Sequence, residues 1–135
     1  MSVPCHAEVS KRGRGIEAPI FTAIDHVQLA MPAGREDDAR TFFCGVLGMA
    51  ELRKPVGLAK RGGCWFASGT VQIHLGVDQD FRPARKAHPG LRCADLAVLL
   101  ARLRAAGIDY EEDTATGSPR AFVHDPFGNR IELVG

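Results

Sequence analysis

The chain has 135 residues, of which 45% are hydrophobic and 24% charged, a composition that suits one folded domain and excludes a disordered chain. Seventeen basic residues stand against sixteen acidic ones, a net charge of +1, so the basic excess expected of a nucleic-acid binder is missing. No apolar run approaches the roughly 18 residues that cross a bilayer, and residues 1–20 lack the apolar core of a secretory signal.

Residues 1–20 place Lys11-Arg12-Gly13-Arg14-Gly15 among small and polar residues and read as a solvated tail. Residues 21–135 read as one domain. Residues 22–30 alternate and predict a strand, broken by Pro32-Ala33-Gly34. Residues 35–47 carry Ala39, Phe42, Phe43, Val46 and Leu47 at helical spacing. Glu36, Asp37 and Asp38 fall in the first turn of that helix, where its dipole favours them, and Gly48 ends it. Short strands follow at 50–54, 63–67 and 71–75, with Gly69-Thr70 placed for a type II′ hairpin between the last two. The order then recurs. A strand at 88–93 leads to a helix at 94–106 ended by Gly107, then to strands at 109–113, 120–124 and 130–134.

The halves look like copies. Asp25-His26-Val27 matches Ala87-His88-Pro89 at an offset of 62, and Ile73-His74-Leu75 matches Ile131-Glu132-Leu133 at an offset of 58. The pattern is α+β, βαβββ twice, with modules at about 22–78 and 86–135. Neither copy alone can bury much core, so the two are expected to pack about a pseudo-twofold axis.

The duplication puts polar residues in matching slots. The first strand of each copy carries a histidine, His26 or His88, and the last carries His74 or Glu132. All four sit in apolar strand contexts and so should point to the face opposite their apolar neighbours. A single strand histidine is ordinarily a hydrogen-bonded core residue and a strand glutamate is ordinarily solvated; four metal-competent side chains in matched slots point instead to a divalent metal site. His26, His88 and Glu132 would form a facial triad, with His74 a fourth ligand, suited to Fe, Mn, Ni or Zn without choosing among them. Two further features have both a plain and a functional reading. Arg82 and Arg85, in the linker before His88, are either solvated or a clamp for an anionic substrate. Trp65 falls across the hairpin from His74 and is either core or a flat wall for a ligand. His124 sits at a turn and should be exposed. Cys5, Cys44, Cys64 and Cys93 are scattered without a CxxC pair and read as reduced thiols of a cytoplasmic protein.

The sequence resembles the vicinal oxygen chelate superfamily, the glyoxalase/bleomycin resistance protein/dioxygenase family, over about residues 22–134. The resemblance rests on Ile24-Asp25-His26-Val27-Gln28-Leu29, on Phe43 with Val46-Leu47-Gly48-Met49, on Ala105-Ala106-Gly107-Ile108, and most on residues 122–133, Phe-Val-His-Asp-Pro-Phe-Gly-Asn-Arg-Ile-Glu-Leu. It implies two βαβββ modules curled into an open U-shaped cleft, metal ligands at His26, His74, His88 and Glu132, Glu132 as the catalytic carboxylate, and a homodimer. It implies a metal-dependent lyase, isomerase or dioxygenase acting on a small oxygen-chelating substrate. His74 stands where glyoxalase I usually offers a carboxylate or amide. The second acid of the methylmalonyl-CoA epimerases is missing, and of the second-shell His and Tyr of extradiol dioxygenases only His124 and Tyr110 are available. The alternatives are a metal-free, bleomycin-resistance-type protein that sequesters a ligand, and a metal that serves only structure.

Overall fold

The computed structural model describes residues 18–135. Apart from residues 18–20, which are exposed, the expected tail lies outside the described residues, as does Cys5. Two four-stranded sheets make up the fold. The first module contains β1 (Val27–Met31), α1 (Glu36–Arg40), β2 (Ala50–Leu52), β3 (Cys64–Ser68) and β4 (Val71–Val77). The second contains β5 (Gly90–Arg92), α2 (Leu96–Ala105), β6 (Tyr110–Asp113), β7 (Arg120–His124) and β8 (Arg130–Val134). Strand order is β1-β4-β3-β2 in one sheet and β5-β8-β7-β6 in the other, so the expected duplication is present in the topology itself. β1 runs parallel to β4 and β5 parallel to β8, while the remaining neighbours are antiparallel.

Four elements differ from the sequence pattern, each for a local reason. The first strand begins at Val27 rather than at residue 22. Its partner β4 turns away at Gly69-Thr70, so the extended segment before it has no ladder to join. β5 is short because Pro89 has no N–H to give, although its carbonyl still accepts Glu132 N–H at 3.0 Å. Helix α1 passes after Arg40 into a wide π-helical turn, Thr41–Val46, in which Leu47 N–H bonds back to Phe42 O at 2.9 Å. That turn buries Phe42, Phe43 and Val46 together, and Phe43 stacks on Phe66 of β3 at 5.1 Å. A 3-10 turn, Val56–Arg61, follows Pro55 where no element was expected. The hairpin after β3 agrees with its pattern: Gly69 has φ of +57° and Thr70 stays at negative φ.

One apolar core draws on both modules. Cys64, Phe66, Ile73 and Leu75 come from the first sheet, Ala121, Val123, Ile131 and Leu133 from the second. From α2 come Leu96, Leu100 and Leu103, and Asp95 caps that helix by accepting Val98 N–H at 3.1 Å. The turn after β7 adds a polar tie. Asp125 is buried and accepts from Phe127 N–H at 2.9 Å, Asn129 N–H at 2.8 Å and the Asn129 amide at 2.7 Å. Burial pushes its carboxyl above the ordinary range, while the bonds from Asn129 and Phe127 pull it back. The same Asn129 amide donates to Ala30 O of β1 at 2.8 Å, so the second module's closing turn is fastened to the first module. No helix among the described residues is long and apolar enough to cross a membrane.

Candidate functional site

The alternation of β4 and β8 sends Ile73 and Leu75, or Ile131 and Leu133, into the core and leaves His74 and Glu132 on the opposite face. In the first module, His74 is buried between two rings. Trp65, its register partner on β3, stacks on it at 4.0 Å, and His26 stacks on its other side at 4.2 Å. Its Nε2 donates to Gln72 Oε1 at 3.0 Å. Burial, and then the neighbouring His26, hold the His74 imidazole below its ordinary pKa, which favours the neutral form that a metal ligand needs. His26 donates from Nδ1 to Asp25 at 2.8 Å, leaving Nε2 free.

The second module repeats this plan with charge. Glu132 is buried, and both of its oxygens are engaged: His88 Nε2 donates to one at 2.8 Å and Arg120 Nη1 to the other at 2.5 Å. His88 first and Arg120 second hold the carboxyl below the usual carboxylate range. The other ring nitrogen of His88 donates to Lys86 O at 2.7 Å. Phe122, register partner of Glu132, meets the His88 ring edge to face at 5.4 Å, and the Arg130 guanidinium lies 4.0 Å above Phe122. His88, Arg82 and Arg130 line a recess of about 430 Å³ with residues 27–30 of β1. His26 lines another, of about 320 Å³, with Ile24, Val71 and Pro89.

The four residues singled out in the sequence therefore meet as two pairs, His26 with His74 and His88 with Glu132. Among the described residues no three His, Cys, Asp or Glu side chains are placed to share a metal ion. Each of His26 and His88 has Nδ1–H anchored on an oxygen, which orients Nε2 in the way ligating histidines are commonly held. His26 Nε2 is free, whereas His88 Nε2 donates to Glu132 and would have to give up that proton to bind a metal. Trp65 lies against His74 as its position across the hairpin suggested, Arg82 lines the recess beside His88, and exposed Arg85 is outside that lining. His124 is exposed. Cys64 is buried in the core, where its thiol is pushed up to about 11 and is unreactive at neutral pH; Cys44 and Cys93 are half-buried.

The sequence profile of the Glyoxalase/Bleomycin resistance protein/Dioxygenase superfamily matches residues 23–133. The chain belongs to this superfamily. A glyoxalase family protein from Bacillus anthracis is 44% identical, with a TM-score of 0.84 over 87% of this chain and 98% of that one. Two more distant structures share the fold alone. A lactoylglutathione lyase from Agrobacterium tumefaciens is 22% identical with a TM-score of 0.63, over 86% of this chain and 95% of its own. An antibiotic binding protein from Streptomyces sp. CB03234 is 23% identical with a TM-score of 0.64, over 84% and 98%. No curated protein sequence matches the chain. The glyoxalase fold thus places the two pairs, and three residues of the face that bears Glu132 were missed in the sequence: Arg120, Phe122 and Arg130. Their signal was present. On β7 and β8 the even-numbered residues share the face of Glu132, and these three have its parity.

Proposed function

We propose that the chain is a divalent-metal-dependent enzyme of the glyoxalase-like type, a lyase, isomerase or dioxygenase, acting on a small substrate that offers two oxygens. The observation that carries this reading is the matched pairing of His26 with His74 and of His88 with Glu132, with both Nδ1–H groups anchored. A divalent ion bound by these residues supplies Lewis-acid polarisation of the substrate oxygens. The chain's own residues orient the reactants. Asp25 and the Lys86 carbonyl fix the two imidazoles, Trp65 and Phe122 provide flat apolar walls, and Arg82 faces an anionic group from the recess wall. Glu132, ionised at neutral pH, is the ligand carboxylate and the proton acceptor.

Completion of the shell needs the pairs to meet, and a homodimer is the arrangement we favour. Support comes from the apolar rim beside the first pair, where Ile24 is 79% and Val71 41% exposed. One observation favours the rival reading, a metal-free ligand-sequestering protein: both oxygens of Glu132 are already satisfied within the chain. Calorimetric titration of Ni(II) or Zn(II) into chelator-stripped protein separates the two. The metal reading expects stoichiometric binding that His88→Ala loses and His74→Ala weakens less. If the native chain binds no better than His88→Ala, the sequestering protein is the better account. Sedimentation at micromolar concentration tests the dimer, and a monomer there would refute it.

A further inference from the structure

We infer that Arg120 is the anchor for a carboxylate group of the ligand, held in reserve by Glu132 while the cleft is empty. The inference rests on the reading above that the faces bearing Glu132 and the histidines form one cleft, and it names the class of molecule that enters: a small organic carboxylate.

Four observations lead there. First, Arg120 uses Nη1 on Glu132 Oε2, but its Nε is buried and has no hydrogen-bond partner among the described residues. Buried polar atoms are rarely left in that state without a role, because the bonds they gave up with water are not replaced. A guanidinium is a rigid fork suited to two oxygens at once, and here only part of the fork is used.

Second, no acid on the neighbouring strand takes up the remainder. Asp113 is the register partner of Arg120 on β6, but its carboxylate accepts Ala115 N–H at 2.8 Å. Third, the fold does not ask for a cation at this position. The duplication pairs Arg120 with Gly63, since each stands two residues before the aromatic facing its module's ligand, Phe122 or Trp65. At Gly63 an added Cβ would lie 2.0 Å from Leu75 O, so no side chain fits at all. One module builds the same strand with no side chain where the other has an arginine. Fourth, two further cations stand near His88, the partner of Glu132: Arg82 and Arg130 flank it in a recess whose lining contains no carboxylate, and Arg130 shares the face of Arg120.

Glu132 cannot serve a metal ion through Oε2 and Arg120 through the same oxygen with full strength. When Glu132 turns to another partner, Arg120 is left as a partly buried cation short of an acceptor. A ligand carboxylate restores the pairing with two oxygens and satisfies Nε as well. Occupation of Glu132 and carboxylate binding at Arg120 are therefore coupled, and the coupling is reciprocal.

The test uses the full chain with benzoate as the carboxylate probe and benzamide as its neutral isostere, read by calorimetry without metal. Glu132→Gln removes the competing charge and should bind benzoate at least fivefold more tightly than the native chain. Adding Arg120→Gln to Glu132→Gln should cut benzoate affinity at least tenfold and leave benzamide unchanged, with Arg120→Lys in the same background falling between. Far-UV circular dichroism and melting curves establish that each variant is folded, and Arg120→Lys keeps the comparison available if Arg120→Gln does not fold. Benzoate affinity that is equal in Glu132→Gln and in the native chain overturns the inference, as does equal affinity with and without Arg120. A parallel Ni(II) titration separates the two readings. Absence of metal binding defeats the proposed enzyme but leaves the metal-free benzoate comparison to decide the anchor. Metal binding with no dependence of benzoate affinity on Arg120 does the reverse.

Discussion

Replacing Asn129 with alanine tests whether the polar tie between the modules holds the fold. The amide makes two bonds that alanine cannot, to Ala30 O at 2.8 Å and to the Asp125 carboxylate at 2.7 Å. A neutral hydrogen bond contributes about 0.5–1.5 kcal/mol net and one to a charged group about 1.5–3. The backbone bond from Asn129 N–H to Asp125, at 2.8 Å, survives the change. The expected loss is thus about 2–4 kcal/mol. For a chain of this size each kcal/mol moves the midpoint by about 3–5 °C, so the melting temperature should fall by about 6–20 °C. Asp125 should feel the change as well: with one donor gone, burial acts on its carboxyl with less opposition. Urea denaturation followed by circular dichroism measures the difference directly. A loss under about 1 kcal/mol would mean that water replaces the amide at both acceptors, and the account of the turn as a fastening between modules would be wrong. The fastening also bears on function, because Ala30 belongs to the strand that His26 precedes and Asn129 immediately precedes the strand that carries Glu132.

Other expectations follow from the same geometry. Gly63→Ala should prevent folding or cost more than about 3 kcal/mol, since its Cβ would meet Leu75 O at 2.0 Å and its φ is +80°; expression and melting of the variant check this. Phe66→Ala should cost about 3–5 kcal/mol by denaturant titration, because the side chain is fully buried against Phe43. His74 is held below its ordinary pKa in the folded chain, so the unfolded chain takes up that proton more readily. Stability should accordingly fall as pH drops below about 6.5 and level off below the folded value, and His74→Phe should remove that share of the slope. Glu132 has the same sense at more acid pH: its depressed folded value gives stability that is present above the unfolded carboxylate range and lost as pH falls, a contribution that Glu132→Gln should abolish.

Most of the architecture was legible because it was written twice. Helix-ending Gly48 and Gly107, the Gly69-Thr70 turn and the repeated Ile-x-Leu strands each occur where a short-range rule applies. The ends of elements were less legible because partners decide them. Residues 22–26 have the alternation of a strand and lack only a neighbour, and the strand expected at 88–93 loses its first residues to Pro89. The π-helical turn at Thr41–Val46 keeps an apolar spacing close to that of an ordinary helix, so the pattern of Phe42, Phe43 and Val46 does not distinguish them. At the candidate site, residue types in matched slots singled out His26, His74, His88 and Glu132. What spacing cannot supply is distance across modules. It gave four residues and no means of telling four neighbours from two pairs. Arg120 and Arg130 escaped because strand arginines are ordinarily solvated, and only register shows that they share a face with Glu132.

On the proposed function, the departures from symmetry are where the two modules would divide the chemistry. His74 and Glu132 occupy the same slot, and each faces an aromatic partner, Trp65 or Phe122. Around that common frame the first module is neutral. Its ligand candidates are imidazoles, Gln72 holds His74, and Gly63 leaves bare backbone where the other module has Arg120. The second module is ionic, with Arg130 in the slot of Gln72 and Glu132 bonded to His88 and Arg120. A divalent cation gains most from a carboxylate, and an anionic ligand gains most from a guanidinium, so both demands fall on the second module. The first is left to supply neutral nitrogen donors and a stacked aromatic wall. Such a division needs only that one copy keep the fold's tight spots while the other accepts charge. Gly63, pressed against the Leu75 carbonyl, and Arg120, opposite Val134, show that difference at a single position of the repeat.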